Sequence, residues 1–191
     1  MGEARIGRST FSRHATLRNG TPVHIRVARS DDRDRVVTAF GKLEKESVCT
    51  RFFSFKKELD DRDLQLLHAD DGRRAIALVV TLGSGSDEIV IAGASYVVQA
   101  TGEAAPSAEV AFTVEEDHQG QGIAGMLLAA LAEIARQHGI ARLEADVLSS
   151  NAAMLGVFRR SGLPLTSRRE GSVLHLAMDL GSDGGHPAKT A

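Results

Sequence analysis

Residues 109–128 read EVAFTVEEDHQGQGIAGMLL and contain the strand-to-helix transition on which the fold depends. The β-rich start is typical of a strand that ends at Val114, and the Leu/Ala-rich run from Gly122 is typical of a long helix. Three acidic residues and a glycine-rich loop join the two elements. Because the first N–H groups of a helix lack intrahelical partners and carry partial positive charge, this loop predicts a site for a pyrophosphate or a similar anion.

One interpretation of the loop is the dinucleotide fingerprint G-x-G-x-x-G, which residues 120–125, GQGIAG, match. Glu144 and Asp146 lie about 20 residues further on, where that motif places a ribose-binding acid. We reject this interpretation because three acids separate the strand from the loop and because too few residues follow for the remaining parallel strands. The preceding residues also predict an antiparallel hairpin instead of a βαβ unit.

Hydrophobic patterning over the whole chain predicts strands and helices in the order β α α β β β α β α β. An antiparallel run precedes the strand–helix–strand units, so the expected fold class is α/β (α+β), with a mixed, mainly antiparallel sheet flanked by helices. The predicted strands cover residues 23–27, 75–82, 89–98, 108–114, 141–148 and 173–180. The predicted helices begin at Ser30, at Asp60 or Asp61, at Gly122 (ending at His138, with Gly139 after it) and at Asn151.

Composition restricts the class of protein. The 191 residues include 23 basic and 25 acidic ones, a net charge of −2, which argues against a nucleic-acid partner. No apolar run approaches the roughly 18 residues of a membrane span, and the start lacks the apolar core of a signal peptide. The single cysteine, Cys49, excludes an intrachain disulfide, and the scattered histidines predict no metal site. We therefore expect a cytoplasmic protein without a membrane partner.

The chain predicts one domain with short tails. Residues 1–19 are expected to form a partly disordered N-terminal arm, and residues 20–180 the domain itself. Residues 181–191, GSDGGHPAKTA, are rich in glycine and small polar residues and are expected to be a disordered tail. The sequence leaves a homodimer open.

Two motifs together resemble a known superfamily. Taken as Q-x-x-G-x-A, residues 119–124 resemble the acetyl-CoA pyrophosphate loop of GNAT-type N-acetyltransferases. Residues 151–163, NAAMLGVFRRSGL, resemble the second signature helix of the same superfamily, in the correct order and at the correct separation. The resemblance covers roughly residues 20–180. It implies a GNAT-type fold, acetyl-CoA as cosubstrate and no metal.

A narrower resemblance points to one group within the superfamily. Residues 16–26, TLRNGTPVHIR, residues 51–53, RFF, and residues 108–112, AEVAF, are similar to the catalytic domain of bacterial Pat-type protein-lysine acetyltransferases. This implies transfer of an acetyl group to a primary amine, with a protein lysine as the expected acceptor and Glu109 as general base. A small-molecule amine as acceptor stays as an alternative, as does a non-catalytic domain that binds or senses acyl-CoA.

The resemblance also implies the cosubstrate contacts. Phe112, Thr113 and Val114 would offer backbone to the pantetheine arm, and the Val114 N–H could polarise the thioester carbonyl. Asn151 would meet the same arm, and Phe158 would line the thiol end. The pyrophosphate would be cradled by Gln119, Gly120, Gln121, Gly122, Ile123, Ala124 and Gly125.

Other interpretations of these residues are simpler. On its residue type alone, Glu109 is a strand-edge carboxylate that makes a salt bridge, and Phe158 is part of the core between helix and sheet. The pair Arg159-Arg160 could steer a phosphate, although such pairs are usually solvated. Phe158 also departs from the family, many members of which have a tyrosine there that protonates the departing thiolate. A thiol with a pKa of about 8.5 is already a fair leaving group, so we expect the acid to be dispensable or replaced by water.

Overall fold

The structure, a computed structural model, describes residues 10–41, 73–99 and 106–181. Within these residues there are three helices, α1 Arg33–Gly41, α2 Ile123–Gln137 and α3 Ala152–Arg159. The eight strands are β1 Ser12–Thr16, β2 Pro22–Val27, β3 Ala75–Leu82, β4 Ile89–Gln99, β5 Ser107–Val114, β6 Arg142–Leu148, β7 Leu165–Glu170 and β8 Val173–Asp179.

All eight strands form one sheet in the order β1-β2-β3-β4-β5-β6-β8-β7. Neighbouring strands are antiparallel except β5 and β6, which are parallel and are connected through α2. A parallel pair requires such a crossover, whereas antiparallel neighbours such as β7 and β8 can be joined by a tight turn. The predicted fold class, a mixed and mainly antiparallel sheet flanked by helices, is confirmed.

Helices cover both faces of the sheet. On one face, α2 buries Leu127, Leu131 and Ile134, whose spacing of four and three residues gives the helix a single apolar side. On the other face, Val36 and Ala39 of α1 pack against a small buried cluster that includes Val79 and Val90. Within the described residues, no helix is long and apolar enough to cross a membrane.

A buried ionic network fixes the start of α1 against the sheet. The guanidinium of Arg26, on β2, donates two hydrogen bonds to the Asp32 carboxylate, at 2.6 and 2.7 Å. The same guanidinium donates to Glu88, whose Oε1 also accepts from the Thr81 hydroxyl at 2.8 Å. Arg26 and Asp32 are almost fully excluded from solvent. Such a pair is stable only because these hydrogen bonds replace the lost hydration.

The network also shifts the pKa values of its two acids. Burial opposes ionisation of Asp32, but hydrogen bonds from the Arg26 guanidinium and the Arg29 backbone N–H, with the charges of Arg26 and Arg35, lower its pKa. Burial likewise opposes ionisation of Glu88, and hydrogen bonds from Thr81 and Arg26 outweigh it, so that its pKa is also lowered. Both acids are therefore carboxylates in the folded protein at neutral pH.

The predicted elements agree with the described part of the chain to within a few residues, and Gly139 follows α2 with a φ of +73°. Two strands were not predicted, β1 and β7, and β1 extends the sheet into the N-terminal arm. Both are short, polar edge strands without alternating apolar residues. The predicted helix that begins at Asp60 or Asp61, residues 51–53 and Cys49 lie outside the described residues.

Candidate functional site

The sheet opens between β5 and β6. These strands are paired only at Ser107–Glu109 with Arg142–Glu144, although β5 continues to Val114 and β6 to Leu148. Beyond Glu109, β5 stays paired with β4, and β6 stays paired with β8. Within the described residues, the last part of β5 therefore has an edge without a strand partner. Such an edge presents backbone donors and acceptors that an extended ligand can pair with.

Backbone direction along β5 shows which groups line this opening. The Glu115 N–H donates to the Ile91 carbonyl on β4, at 2.9 Å. Because successive residues of a strand point their N–H groups to opposite sides, those of Val114 and Phe112 point away from β4. The open edge of β5 thus presents the Val114 N–H, the group predicted to act as a donor to the substrate carbonyl.

The glycine loop lies between β5 and α2. Gly120 and Gly122 have φ values of +71° and +92°, in the left-handed region that favours glycine. Gly122 is the N-cap of α2 and offers no side chain to its N–H groups, and the first helical bond runs from the Met126 N–H to the Gly122 carbonyl. The N–H groups of the first helical residues therefore have no acceptor within the helix.

Two contacts hold the loop from different sides. The Gln119 amide donates to the Val114 carbonyl at 3.2 Å and so ties the loop to the end of β5. On the other side, the Arg18 guanidinium donates to the Gly120 carbonyl at 3.1 Å. Arg18 belongs to the turn between β1 and β2, and no local sequence pattern indicates this contact because 102 positions separate the two residues.

The loop, the end of β5 and α3 surround one cleft of about 480 Å³. The predicted residues that line it are Phe112, Thr113, Val114, Gln119, Gly120, Gly122, Ile123, Ala124 and Asn151. Seven further residues line the cleft, although from the sequence they were either not assigned to the site or explained by a simpler role. They are Arg18, His118, Ser150, Ala153, Met154, Val157 and Arg160.

Three of the residues predicted to contact acetyl-CoA do not line the cleft. The Gln121 side chain accepts a hydrogen bond from the Asn19 N–H at 3.1 Å, and Gly125 is on an exposed side of α2. Phe158 is only 1% exposed and contacts Phe112 edge to face, with ring centroids 5.9 Å apart. Phe158 therefore supports the wall of the cleft from behind.

Asn151 has a role in the fold as well as a place at the cleft. Its Oδ1 accepts the Met154 backbone N–H at 3.0 Å, which makes it the N-cap of α3. The side-chain oxygen of Asn151 is thus used by the helix, and its amide –NH₂ group can donate to a ligand.

Glu109 is at the point where β5 and β6 separate, in register with Glu144 of β6. Its side chain is exposed, and its Oε2 accepts a hydrogen bond from the Gln99 amide at 2.8 Å. By the alternation along β5, Glu109 is on the sheet face that carries α1, while Phe112 is on the face that carries α2. Glu109 therefore does not line the cleft but stands at its inner end, about 10 Å along the strand from Phe112.

The electrostatics of the cleft come from two arginines as well as the helix N-terminus. Arg160 folds back along α3, and a Cβ at Gly156 would lie 2.8 Å from its Nη1, so the absence of a side chain there makes room for the guanidinium. Within the described residues, neither Arg18 nor Arg160 has a carboxylate within ion-pair distance. Those same residues contain no group of three or more histidines, cysteines or acids that could hold a metal.

Comparison with known proteins gives consistent results. The family model described as "Acetyltransferase (GNAT) family" matches residues 42–163. "Acetyltransferase Pat" of Mycolicibacterium smegmatis is 34% identical over 146 residues, which are 76% of this chain and 42% of that protein. The chain thus spans less than half the length of this curated relative.

Solved structures agree in fold. The GNAT domain of S. lividans PAT is 32% identical and superimposes with a TM-score of 0.78, covering 88% of this chain and 96% of that one. A cAMP-binding acyltransferase from Mycobacterium smegmatis is 30% identical and superimposes with a TM-score of 0.60, and the match covers 93% of this chain and 51% of that chain. The protein yncA from Salmonella typhimurium, solved with its cofactor acetyl-CoA, is 20% identical and superimposes with a TM-score of 0.66, covering 88% of this chain and 99% of that one, which shows a shared fold.

Proposed function

This chain belongs to the acetyltransferase (GNAT) family, and from that premise we propose that it transfers an acetyl group from acetyl-CoA to a protein lysine side chain. The observation that carries the proposal is the opening between β5 and β6, which ends in a helix N-terminus without a side-chain cap. The open strand edge suits the amides of a pantetheine arm, and the glycine loop suits a diphosphate. This combination fits acetyl-CoA better than it fits a ligand without phosphates.

The proposed chemistry uses Glu109 on one sheet face and a backbone N–H group at the open edge of β5. Glu109, on the face of α1, takes a proton from the incoming amine, directly or through water, because a free lysine with a pKa of about 10.4 is mostly protonated at neutral pH. Of the two N–H groups on the open edge of β5, that of Phe112 is the nearer to Glu109, and it donates to the carbonyl oxygen of the acyl group, where negative charge develops. The Val114 N–H is about 17 Å along the strand from Glu109 and is left to the pantetheine arm. The neutral nitrogen then forms a bond to the acyl carbon, the carbon–sulfur bond breaks, and the second proton of the nitrogen passes to solvent.

The departing sulfur receives its proton from solvent in this proposal. Phe158 has no hydroxyl and is buried behind Phe112, so it cannot protonate a thiolate. The only tyrosine, Tyr96, is fully buried on β4 and belongs to the core. A thiol with a pKa of about 8.5 leaves without strong acid assistance.

The test has a binding step and an acceptor step. Calorimetric titration with acetyl-CoA is expected to give a single saturable site, and absence of binding at millimolar ligand would refute the proposal. Incubation with acetyl-CoA and a cell lysate, followed by mapping of acetyl-lysines by mass spectrometry, is expected to show new sites on proteins. Activity on free amines with no protein acetylation would replace the lysine acceptor by a small molecule. Binding without either activity would identify a non-catalytic acyl-CoA-binding domain.

Replacing Gly122 with alanine is expected to weaken acetyl-CoA binding by about tenfold, the usual scale for loss of one charge-assisted hydrogen bond. A residue with a Cβ disfavours the left-handed conformation by about 1–2 kcal/mol, so the loop relaxes and its N–H groups turn away from the ligand. The dissociation constant is measured by calorimetry and stability by denaturant unfolding.

Gly139 provides the matched control for this variant. It is at the other end of α2, with a φ of +73°, and does not line the cleft. Gly139→Ala is expected to have a similar effect on stability while acetyl-CoA affinity stays as in the wild type. Equal affinity in both variants would show that the backbone at Gly122 does not contribute to binding.

A further inference from the structure

The turn between β1 and β2, residues 17–21, contacts the glycine loop, a contact to which the proposed function assigns no role. We propose that Arg18 in this turn binds the diphosphate of acetyl-CoA, so that the first hairpin is part of the cosubstrate site. The inference rests on the proposed function, because it specifies how the same cleft holds the same ligand.

Three hydrogen bonds join the turn to two consecutive residues of the loop. The Arg18 guanidinium donates to the Gly120 carbonyl at 3.1 Å, and the Arg18 backbone N–H donates to the Gln121 carbonyl at 3.4 Å. The Asn19 N–H donates to the Gln121 side-chain oxygen at 3.1 Å. These three bonds use oxygen acceptors of the loop and none of its N–H groups.

The turn itself is well fixed. The Leu17 side chain is 2% exposed, and its backbone N–H donates to the Thr21 carbonyl at 2.9 Å. Gly20 has a φ of +88°, and the Thr21 N–H donates to the Asn19 side chain at 3.0 Å. Arg18 is therefore presented by a rigid turn, which reduces the entropy lost when its guanidinium binds a ligand.

The charge of Arg18 is available to an anion. A guanidinium has five N–H donors, and only one of them is used on Gly120. The side chain lines the cleft and, within the described residues, has no carboxylate partner. Arg13, on the same hairpin, differs in this respect because its guanidinium donates to Glu133 at 2.8 Å.

The position of Arg18 favours the diphosphate over the 3′-phosphate. Its bonds are to Gly120 and Gln121, within the loop that forms the predicted diphosphate cradle. The partial charges of a helix N-terminus amount to about half an elementary charge, so they do not balance a diphosphate, and a fixed cation beside them adds to the attraction.

The experiment compares Arg18→Gln and Arg18→Lys with Arg13→Gln as the matched control. Dissociation constants are measured for acetyl-CoA, dephospho-acetyl-CoA and acetyl-pantetheine, the first two by calorimetry at low and high salt and the last by NMR titration. Arg18→Gln is expected to weaken acetyl-CoA and dephospho-acetyl-CoA equally, by about tenfold, and to reduce the salt dependence of both. It is expected to leave acetyl-pantetheine binding unchanged. Arg18→Lys keeps the charge, so its dissociation constant for acetyl-CoA is expected to stay within about threefold of the wild-type value. The dissociation constant of Arg13→Gln is expected to stay within about twofold.

Several results would overturn the inference. Acetyl-CoA affinity within about twofold of the wild type in Arg18→Gln would show that the side chain does not contribute to binding. Equal losses in Arg18→Gln and Arg18→Lys, with unchanged salt dependence, would show that Arg18 only orders the loop. A loss confined to acetyl-CoA, with dephospho-acetyl-CoA unaffected, would assign Arg18 to the 3′-phosphate. Failure of the wild type to bind acetyl-CoA at all would instead refute the proposed function.

Discussion

Glu109→Gln is expected to lower the rate of amine acetylation by about 10²–10⁴-fold while leaving acetyl-CoA affinity unchanged. Glutamine has nearly the shape of glutamate but cannot accept a proton from the acceptor ammonium. The residue is at the point where β5 and β6 separate, outside the lining of the cleft, so the two effects should be distinct. The measurements are steady-state kinetics over a range of pH and calorimetric titration with acetyl-CoA.

The pH profile separates a base from a residue that acts through structure. In Glu109→Gln only amine that is already neutral can react, so the rate should rise about tenfold per pH unit toward the amine pKa of about 10.4, and the deficit relative to the wild type should shrink at high pH. Because the side chain is exposed, the free energy of unfolding of the variant should lie within about 0.5 kcal/mol of the wild-type value.

Glu144→Gln is the matched control, since Glu144 is the register partner of Glu109 on the neighbouring strand. It removes a carboxylate from the same sheet face at the adjacent position, and its rate is expected to stay close to that of the wild type. Equal losses in the two variants would show that the negative charge of this face matters and that Glu109 is not a specific base.

Asp32→Asn is expected to lower the free energy of unfolding by about 3–5 kcal/mol, because it leaves the buried Arg26 cation without its main counter-charge. Arg26 donates two hydrogen bonds to Asp32, and Glu88 alone does not replace them. Denaturant unfolding measures the effect. Asp31→Asn is the control, since Asp31 is the exposed neighbour and is expected to change stability by no more than about 0.5 kcal/mol. Similar values for the two variants would contradict a stabilising role of the network.

The same network predicts how stability depends on pH. Asp32 and Glu88 have lowered pKa values in the folded protein, so the stability that their ionised forms contribute is complete above their unfolded values, about 3.9 and 4.3. This contribution is lost as the pH falls from there through the lower folded values. In Asp32→Asn the free energy of unfolding should therefore fall less steeply as the pH is lowered. Urea unfolding at several pH values between neutral and acid measures this dependence.

Local patterning predicted the elements that bury apolar residues. β3 was predicted with the bounds that the structure gives because it is a continuous apolar run, buried on both faces. α2 was predicted to within one residue at each end because apolar periodicity and terminal glycines mark it. The same reasoning missed β1 and β7, whose residues are mostly exposed on both faces. An edge strand is held by backbone pairing with its neighbour, and backbone pairing leaves no hydrophobic pattern in the sequence.

The candidate site was predicted in part for a similar reason. The glycine loop and α3 have their signals within short segments, so they could be assigned from the sequence. Arg18 could not, because its bond to Gly120 joins residues 102 positions apart. Phe158 was expected at the thiol end, but the structure buries it behind Phe112. Whether a side chain on a helix reaches the cleft depends on how that helix packs, which sequence spacing leaves undetermined.

The sequence by itself therefore determined the order of the described elements other than the two edge strands, the position of the glycine loop and the family. Each is set by residues close together in the chain, where turn chemistry and periodicity act. Only the tertiary structure decided that β5 and β6 separate after Glu109, that Arg18 joins the cleft and that Arg26, Asp32 and Glu88 form one network. These contacts join distant parts of the chain, and they are fixed by strand register and by the faces on which helices pack, which no short segment specifies alone.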